Sequence, residues 1–129
     1  MLKKPITYTD YDGNQRTEDH FFNLNKFELL ELDAKYPGGM IKTLERVVKE
    51  EDNAKIIEII KDMIVKSYGE KSDDGKRFVK DEKVLANFMQ TEAFSELFIE
   101  LCQDSEKAAA FFNGIMPKDN GNAAIPPVK

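Results

Sequence analysis

The side chains most often used as a base or a nucleophile near neutral pH occur once each, as His20 and Cys102, 82 residues apart. A single histidine excludes multi-histidine metal sites, and a Ser-His-Asp or Cys-His arrangement would need the fold to bring distant partners to His20. Helical spacing puts Cys102 on one face with Phe98 and Leu101, which predicts a buried, unreactive thiol. A single cysteine also excludes an internal disulfide and indicates a reducing compartment.

Two other short patterns resemble sites for bound ions. Asp10, Asp12 and Asn14 alternate like the first ligands of a calcium loop, but Gln15 and Phe21 stand where such a loop needs glycine and glutamate. Residues 37–39, Pro-Gly-Gly, lack the Lys-Ser or Lys-Thr of a phosphate-binding loop. We therefore predict no metal, no cofactor and no enzymatic activity, although carboxylates alone can catalyse some reactions.

The charge balance limits the classes of partner. The 129 residues include 19 Lys plus Arg and 24 Asp plus Glu, giving a net charge of −5, which disfavours non-specific binding to nucleic acid. Hydrophobic residues make up 41% and charged residues 33%, as in a globular protein with a charged surface. No apolar run approaches the roughly 20 residues that cross a bilayer, and the N-terminus lacks a signal-peptide pattern. We expect a cytoplasmic protein without membrane contact.

The predicted fold is mainly α: a compact bundle of five to six helices with an N-terminal β-hairpin and a flexible C-terminal tail. Residues 5–22 form the hairpin, because strand-favouring residues flank an Asp12-Gly13 turn. Residues 25–116 form the helical body, so that residues 1–117 make a single domain. Residues 70–80 are predicted to be a charged surface loop anchored by Phe78, with Gly69 ending the helix before it. Residues 118–129 form the tail, mobile unless a partner or neighbour holds it.

Helix boundaries follow from local signals. Asn25 and Glu28 are spaced as a capping box for a helix over residues 26–36, and Pro-Gly-Gly at 37–39 ends it. Asn53 is expected to cap a central core helix over residues 54–67. Three further caps are predicted for the C-terminal helices, at Asp81, at Thr91, and at Asp104 or Ser105.

Large apolar side chains supply the candidate binding residues. The first helix carries two apolar stripes on nearly opposite faces, one with Phe27, Leu30 and Ala34 and the other with Leu29, Leu32 and Tyr36. Two stripes need two partners: the hairpin and the helical body, or one of these and another protein. Large apolar residues also end the last helix beside the tail. The predicted partner-binding residues are Leu29, Leu32, Tyr36, Phe111, Phe112 and Met116.

Several segments, in their order and spacing, resemble the tail assembly chaperones of tailed bacteriophages and prophages. The resemblance covers about residues 4–117. It is carried by Phe22-Asn23-Leu24-Asn25-Lys26, by Tyr36 with Gly38 and Gly39, and by residues 66–78, 90–98 and 108–117.

The resemblance implies a non-enzymatic role in building a phage tail. Family members bind the tape measure protein, a very long helical and partly hydrophobic chain, keep it soluble, and help recruit tail tube subunits around it. They act in the host cytoplasm and leave before the tail is finished, so they are not retained in the virion. The family often makes a second, longer product by programmed frameshifting, and this chain would be the shorter one.

Two other readings of the residues remain. One is a small phage or bacterial adaptor or regulatory protein with a different client, and the other is a minor structural protein of the virion. Two apolar stripes on one helix would also suit self-association of the chain.

Overall fold

The computed structural model describes residues 1–117, in which an antiparallel sheet lies against six helices. The elements in chain order are β1 (Leu2–Thr9), β2 (Gln15–Phe22), α1 (Lys26–Ala34), α2 (Met40–Lys49), α3 (Asn53–Ser67), β3 (Tyr68–Lys71), β4 (Phe78–Val79), α4 (Glu82–Met89), α5 (Glu92–Gln103) and α6 (Ser105–Ile115). The strands lie in the order β1-β2-β3-β4. The predicted flexible tail, residues 118–129, lies outside the described residues.

The predicted N-terminal hairpin is confirmed, and it starts three residues earlier than expected, at Leu2. β1 and β2 pair from Leu2 opposite Phe22 to Thr9 opposite Gln15. The Asp10 carboxylate accepts hydrogen bonds from the backbone N–H groups of Asp12 and Asn14, both at 2.9 Å, and Gly13 takes a positive φ of 88°. Asp10 and Asn14 therefore build a tight turn, which explains the alternating pattern without a metal ion.

The fold is mixed α/β, so the prediction of a mainly α protein was wrong in one respect. The six helices agree with the predicted number, but two strands overlap the segment predicted to be a surface loop, and β3 extends the hairpin sheet by pairing Tyr68 and Gly69 with the end of β2. Gly69 does not end a helix: it lies in β3, and a Cβ there would come within 2.7 Å of Cε2 of Phe78. Only glycine allows the Phe78 ring to pack this closely on the strand.

Helix α1 begins as its sequence predicts. The Asn25 side chain accepts from the backbone N–H of Glu28 at 2.8 Å, and the Glu28 carboxylate accepts from that of Asn25 at 3.0 Å. This is the predicted capping box. The helix ends at Ala34, two residues earlier than expected, and the following turn uses positive φ angles at Gly38 and Gly39.

Of the other predicted helix caps, two form as expected and two do not. Asp81 and Asp104 cap α4 and α6 as expected, each accepting from backbone N–H groups of the first turn. Asp52, rather than the predicted Asn53, caps α3, and its carboxylate accepts from the backbone N–H of Lys55. Thr91 stands at the N-cap position of α5 without a capping bond, and its hydroxyl donates to the carbonyl of Phe88 in the preceding helix.

A single buried cluster joins the sheet to the helices, and Phe22 lies near its centre with no exposed surface. The Phe22 ring contacts those of Tyr68, Phe88 and Phe111 edge-on, with centroids 5.5, 6.0 and 5.1 Å away. These rings come from β3, α4 and α6, so one side chain at the end of the hairpin holds three elements together.

The segment leading into α1 is fixed by an ammonium group. Lys80 Nζ donates to the carbonyl oxygens of Asn23 and Lys66, at 2.6 and 2.9 Å, and to a Glu28 carboxylate oxygen at 2.6 Å. Burial lowers the pKa of Lys80, and the bond to Glu28 opposes that shift. Lys80 therefore ties the end of β2, the start of α1 and the end of α3 to one point.

None of the helices formed by residues 1–117 is both long enough and apolar enough to cross a lipid bilayer.

Candidate partner-binding surface

The two apolar stripes of α1 lie in different surroundings: one is buried in the core and the other is on the surface. Leu29, Leu32 and Tyr36, predicted to bind a partner, are all buried in the main cluster. The Tyr36 hydroxyl donates to the Asp62 carboxylate, which also accepts from Lys35 Nζ at 2.7 Å. Burial and this hydrogen bond raise the pKa of Tyr36. This stripe therefore faces the core, Tyr36 joins the end of α1 to α3, and a partner could reach the stripe only if that packing opened.

The opposite stripe is on the surface. Phe27 is 68% exposed and Leu30 52% exposed, and Ala34, one turn further along, is also exposed. A phenylalanine with that much ring in water leaves apolar area whose burial would be favourable. We refer to Phe27, Leu30 and Ala34 as the α1 surface.

The remaining predicted binding residues lie at the end of α6. Phe111 and Phe112 are buried, and Met116, just after the helix, is partly buried against the core. Phe111 packs on Phe22, and the carbonyl of Ile115 accepts a hydrogen bond from the backbone N–H of Leu24 at 2.8 Å. The aromatic pair thus docks α6 beside the start of α1 and is not exposed in this structure.

A shallow open pocket adjoins the α1 surface. Its lining residues come from the N-terminus, the β2–α1 connection, the first turn of α1 and the residue after α6: Met1, Asn23, Leu24, Asn25, Lys26, Phe27 and Pro117. Phe27 therefore belongs both to the exposed stripe and to the wall of this pocket. The two together make the candidate binding surface.

The periodicity of α1 could not tell which stripe faces inward. Both stripes have the same kind of composition, and a helix between two layers would bury both. The hairpin instead packs its apolar side chains against the α5 and α6 side of the body, through Ile6, Tyr8 and Phe22. Since the hairpin does not cover α1, one stripe stays in solvent. The capping box was the only local signal of how α1 is oriented, and it does not specify a face.

Other exposed apolar residues on the described surface are Met1, Tyr11, Ile41, Val48, Ile57 and Ile99, of which Ile41 and Val48 lie two turns apart on one face of α2. Single exposed hydrophobic residues are normal in soluble domains. Of these, Val48 and Ile99 are each 51% exposed and lie on α2 and α5, so they serve as matched controls for the α1 surface.

The predicted burial of Cys102 was wrong, because the residue is exposed. The buried stripe of α5 consists of Ala93, Leu97 and Leu101, and Cys102 is turned about 100° from it at the last turn of the helix. Partial burial raises the pKa of Cys102, so the group is a neutral thiol near pH 7 and not an activated nucleophile.

His20 lies at the aromatic cluster. Its ring centroid is 5.1 Å from that of Phe88 and 6.3 Å from that of Tyr68, and its Nδ1 atom is buried with no hydrogen-bond partner among residues 1–117. Burial lowers the pKa of His20 below its usual value near 6.5. The position suits a neutral ring that is half-buried against the aromatic side chains of the core.

This placement predicts an acid-sensitive fold. Below about pH 6.5 the unfolded chain binds a proton at His20 that the folded chain resists, so the free energy of unfolding falls as the pH decreases toward the folded pKa. Urea unfolding at pH 7.5 and 5.5 measures the difference. Because His20 is the only histidine, the His20→Phe variant is expected to lose less stability than the parent over this interval. An equal loss in both proteins would show that His20 titrates normally.

Among residues 1–117, no group of three or more His, Cys, Asp or Glu side chains is arranged to hold a metal ion.

The comparison with known families agrees with the earlier resemblance. No curated protein and no solved structure matches the sequence significantly. The family model described as phage tail assembly chaperone matches residues 1–125, which is nearly the whole chain. The chain therefore belongs to the phage tail assembly chaperone family.

Proposed function

We propose that this protein binds the tape measure protein of its phage or prophage during tail assembly, keeps it soluble, and helps recruit tail tube subunits around it. The observation that carries the proposal is the family match over residues 1–125. The role is that of a non-enzymatic binding protein in the host cytoplasm that leaves before the virion is complete. A longer frameshifted product of the same gene belongs to the same proposal.

The α1 surface is the face we assign to the client. An apolar helical client needs a groove or patch that covers its hydrophobic side, and Phe27 and Leu30 supply aromatic and aliphatic area one turn apart. The net charge of −5 makes complexes with such a client repel one another, which opposes aggregation. Leu29 and Tyr36, which the sequence predicted to bind a partner, are buried on the opposite side and hold the α1 surface in position.

Replacing both exposed residues, Phe27→Ser with Leu30→Ser, is expected to weaken client binding by about 2 kcal/mol or more, roughly a 30-fold higher Kd. Folding should change little, because both side chains are exposed and neither belongs to the capping box, and such exposed positions contribute within about 0.5 kcal/mol each. The measurement is the soluble fraction of a tape measure fragment from the same genome, co-expressed with each variant, followed by a pull-down of the pair.

The matched control is Val48→Ser with Ile99→Ser, which removes apolar side chains that are each 51% exposed, close to Leu30 at 52%, from α2 and α5. Equal loss of binding in the two double variants would remove the α1 surface from the proposal. If the parent protein fails to keep the fragment soluble, the client is a different protein and the adaptor role is favoured.

Two further measurements address the later steps of assembly. A pull-down with tape measure fragment and tube protein together should recover the tube protein only when both other chains are present. Mass spectrometry of purified virions should detect no stoichiometric amount of this chain. Stoichiometric retention would instead identify it as a structural component of the tail.

A further inference from the structure

We propose that two copies of this chain associate through the outer half of β2, residues 15–19, which pairs with the same residues of the second copy as antiparallel strands. The inference goes beyond the proposed function and does not depend on the identity of the client. It rests on the direction of the backbone groups in the hairpin, on the edge that β3 leaves open, and on the order of the charged residues in β2.

The backbone groups of β2 alternate between its two neighbouring strands. The carbonyl of Asn14 accepts the backbone N–H of Asp10 at 2.8 Å across the hairpin, whereas the backbone N–H of Asn23 donates to the carbonyl of Ser67 at 2.8 Å on the side of β3. In an antiparallel ladder, every second residue points its N–H and C=O groups toward the same neighbour. The residues of the outer half whose backbone groups point away from β1 are therefore Gln15, Thr17 and Asp19.

The edge that these backbone groups form is open. β3 pairs with β2 at Phe21 and Phe22, and its remaining residues pair with β4. Within residues 1–117, no strand lies beside residues 15–19 on the side away from β1, and all five of these residues are exposed. A row of unpaired N–H and C=O groups on an exposed strand is a template for pairing with another strand.

The edge formed by β1, on the other side of the sheet, is protected. By the same alternation, the backbone nitrogen of Pro5 lies on the side away from β2, and its missing N–H interrupts the row of donors there. Lys3 lies on the same edge. Proline and lysine on an edge strand both oppose the addition of a further strand. The hairpin therefore offers one edge for pairing, and that edge belongs to β2.

The sequence of the open edge is complementary to itself. With a two-fold axis at Thr17, Gln15 lies opposite Asp19 of the second copy, and Arg16 lies opposite Glu18 of the second copy. Each pair of residues with outward-pointing backbone groups exchanges two hydrogen bonds, and the pairs between them bring their side chains closest together. Opposite charges at such a position stabilise an antiparallel pair. The Arg16 and Glu18 side chains are 49% and 44% exposed, so both can reach a second copy.

Proline substitutions test which edge pairs. Sedimentation equilibrium of the full chain should give a mass that rises with concentration from 14.8 kDa toward twice that value. Thr17→Pro removes an N–H from the open edge without removing a hydrogen bond to β1, so this variant should keep the mass of one chain. Thr7→Pro makes the same change directly across the hairpin, on the protected edge, and should associate like the parent. Circular dichroism and urea unfolding confirm that both variants fold.

A charge exchange tests the register without the use of proline. Arg16→Glu places a glutamate opposite Glu18 of the second copy, and Glu18→Arg places an arginine opposite its Arg16, so each variant alone should lose association. Mixed in equal amounts, the two variants carry opposite charges at both positions and should associate as a one-to-one pair. A variant that had failed to fold would not regain association on mixing.

A parent chain that keeps the mass of a single chain up to about 1 mM would overturn the proposal. Association of Thr17→Pro equal to that of the parent would also overturn it, because the second copy would then bind elsewhere, as on the α1 surface. A charge-exchanged mixture that does not associate would contradict the antiparallel register and with it the proposal. The client is absent from these measurements, so their failure leaves the tape measure proposal standing, and failure of client binding leaves the strand pairing standing.

Discussion

Replacing Lys80 by methionine is expected to lower the free energy of unfolding by about 3 kcal/mol, because the change leaves two carbonyl groups and a carboxylate without their shared donor. The acceptors are the carbonyls of Asn23 and Lys66 and the carboxylate of Glu28, all within 2.9 Å of Nζ. Methionine keeps most of the length of the side chain, so the loss reports on the ammonium group and not on packing. Urea unfolding followed by circular dichroism measures it.

The control for this prediction is Lys76→Met, an exposed lysine in the turn between β3 and β4. It removes the same charge from the same segment and should change stability by less than about 0.5 kcal/mol. If the two variants lose equal stability, the Lys80 contacts contribute only through net charge. Because Lys80 also positions the start of α1, its loss should reduce client binding more than the loss of Lys76 does.

Replacing Phe22 by alanine is expected to cost about 3–5 kcal/mol, the usual range for removing a fully buried aromatic ring. The ring contacts Tyr68, Phe88 and Phe111, so its loss opens a cavity where β3, α4 and α6 meet. A cost of this size is a large share of the 5–15 kcal/mol that typically separates a folded domain from its unfolded state. Thermal and urea unfolding both measure it.

Phe22→Leu keeps the protein folded if the alanine variant does not fold, and it should lose less because leucine refills part of the cavity. Phe27→Ala makes the same alanine change at an exposed ring and should cost under about 1 kcal/mol. A similar cost at positions 22 and 27 would contradict the assignment of one ring to the core and the other to the surface.

The elements predicted best from sequence are those whose signals are local. The turn at Gly13 and the capping box of Asn25 with Glu28 depend on residues within a few positions of each other, and both formed as expected. The six helices likewise follow from apolar spacing along each segment. The backbone angles of a turn or a cap favour particular residues at particular positions, so the rest of the fold hardly affects whether it forms.

The short strands β3 and β4 could not be predicted in the same way. Residues 70–80 are mostly charged, which is typical of a loop, and β3 forms because the two residues before them, Tyr68 and Gly69, pair with the end of β2. The close approach of the Phe78 ring to Gly69 is likewise a contact between two strands. Pairing with a distant strand has no signature in the local pattern.

The α1 helix shows which of its properties follow from the sequence alone and which depend on the tertiary structure. By itself, the sequence determined that α1 is a helix with two apolar stripes, that the chain has a single histidine and a single cysteine, and that it resembles a phage tail assembly chaperone. Only the fold decided that Leu29, Leu32 and Tyr36 face the core while Phe27 and Leu30 face solvent. The reason is physical: periodicity fixes the angle between two stripes on a helix, but the side that is buried depends on which neighbouring elements pack against it.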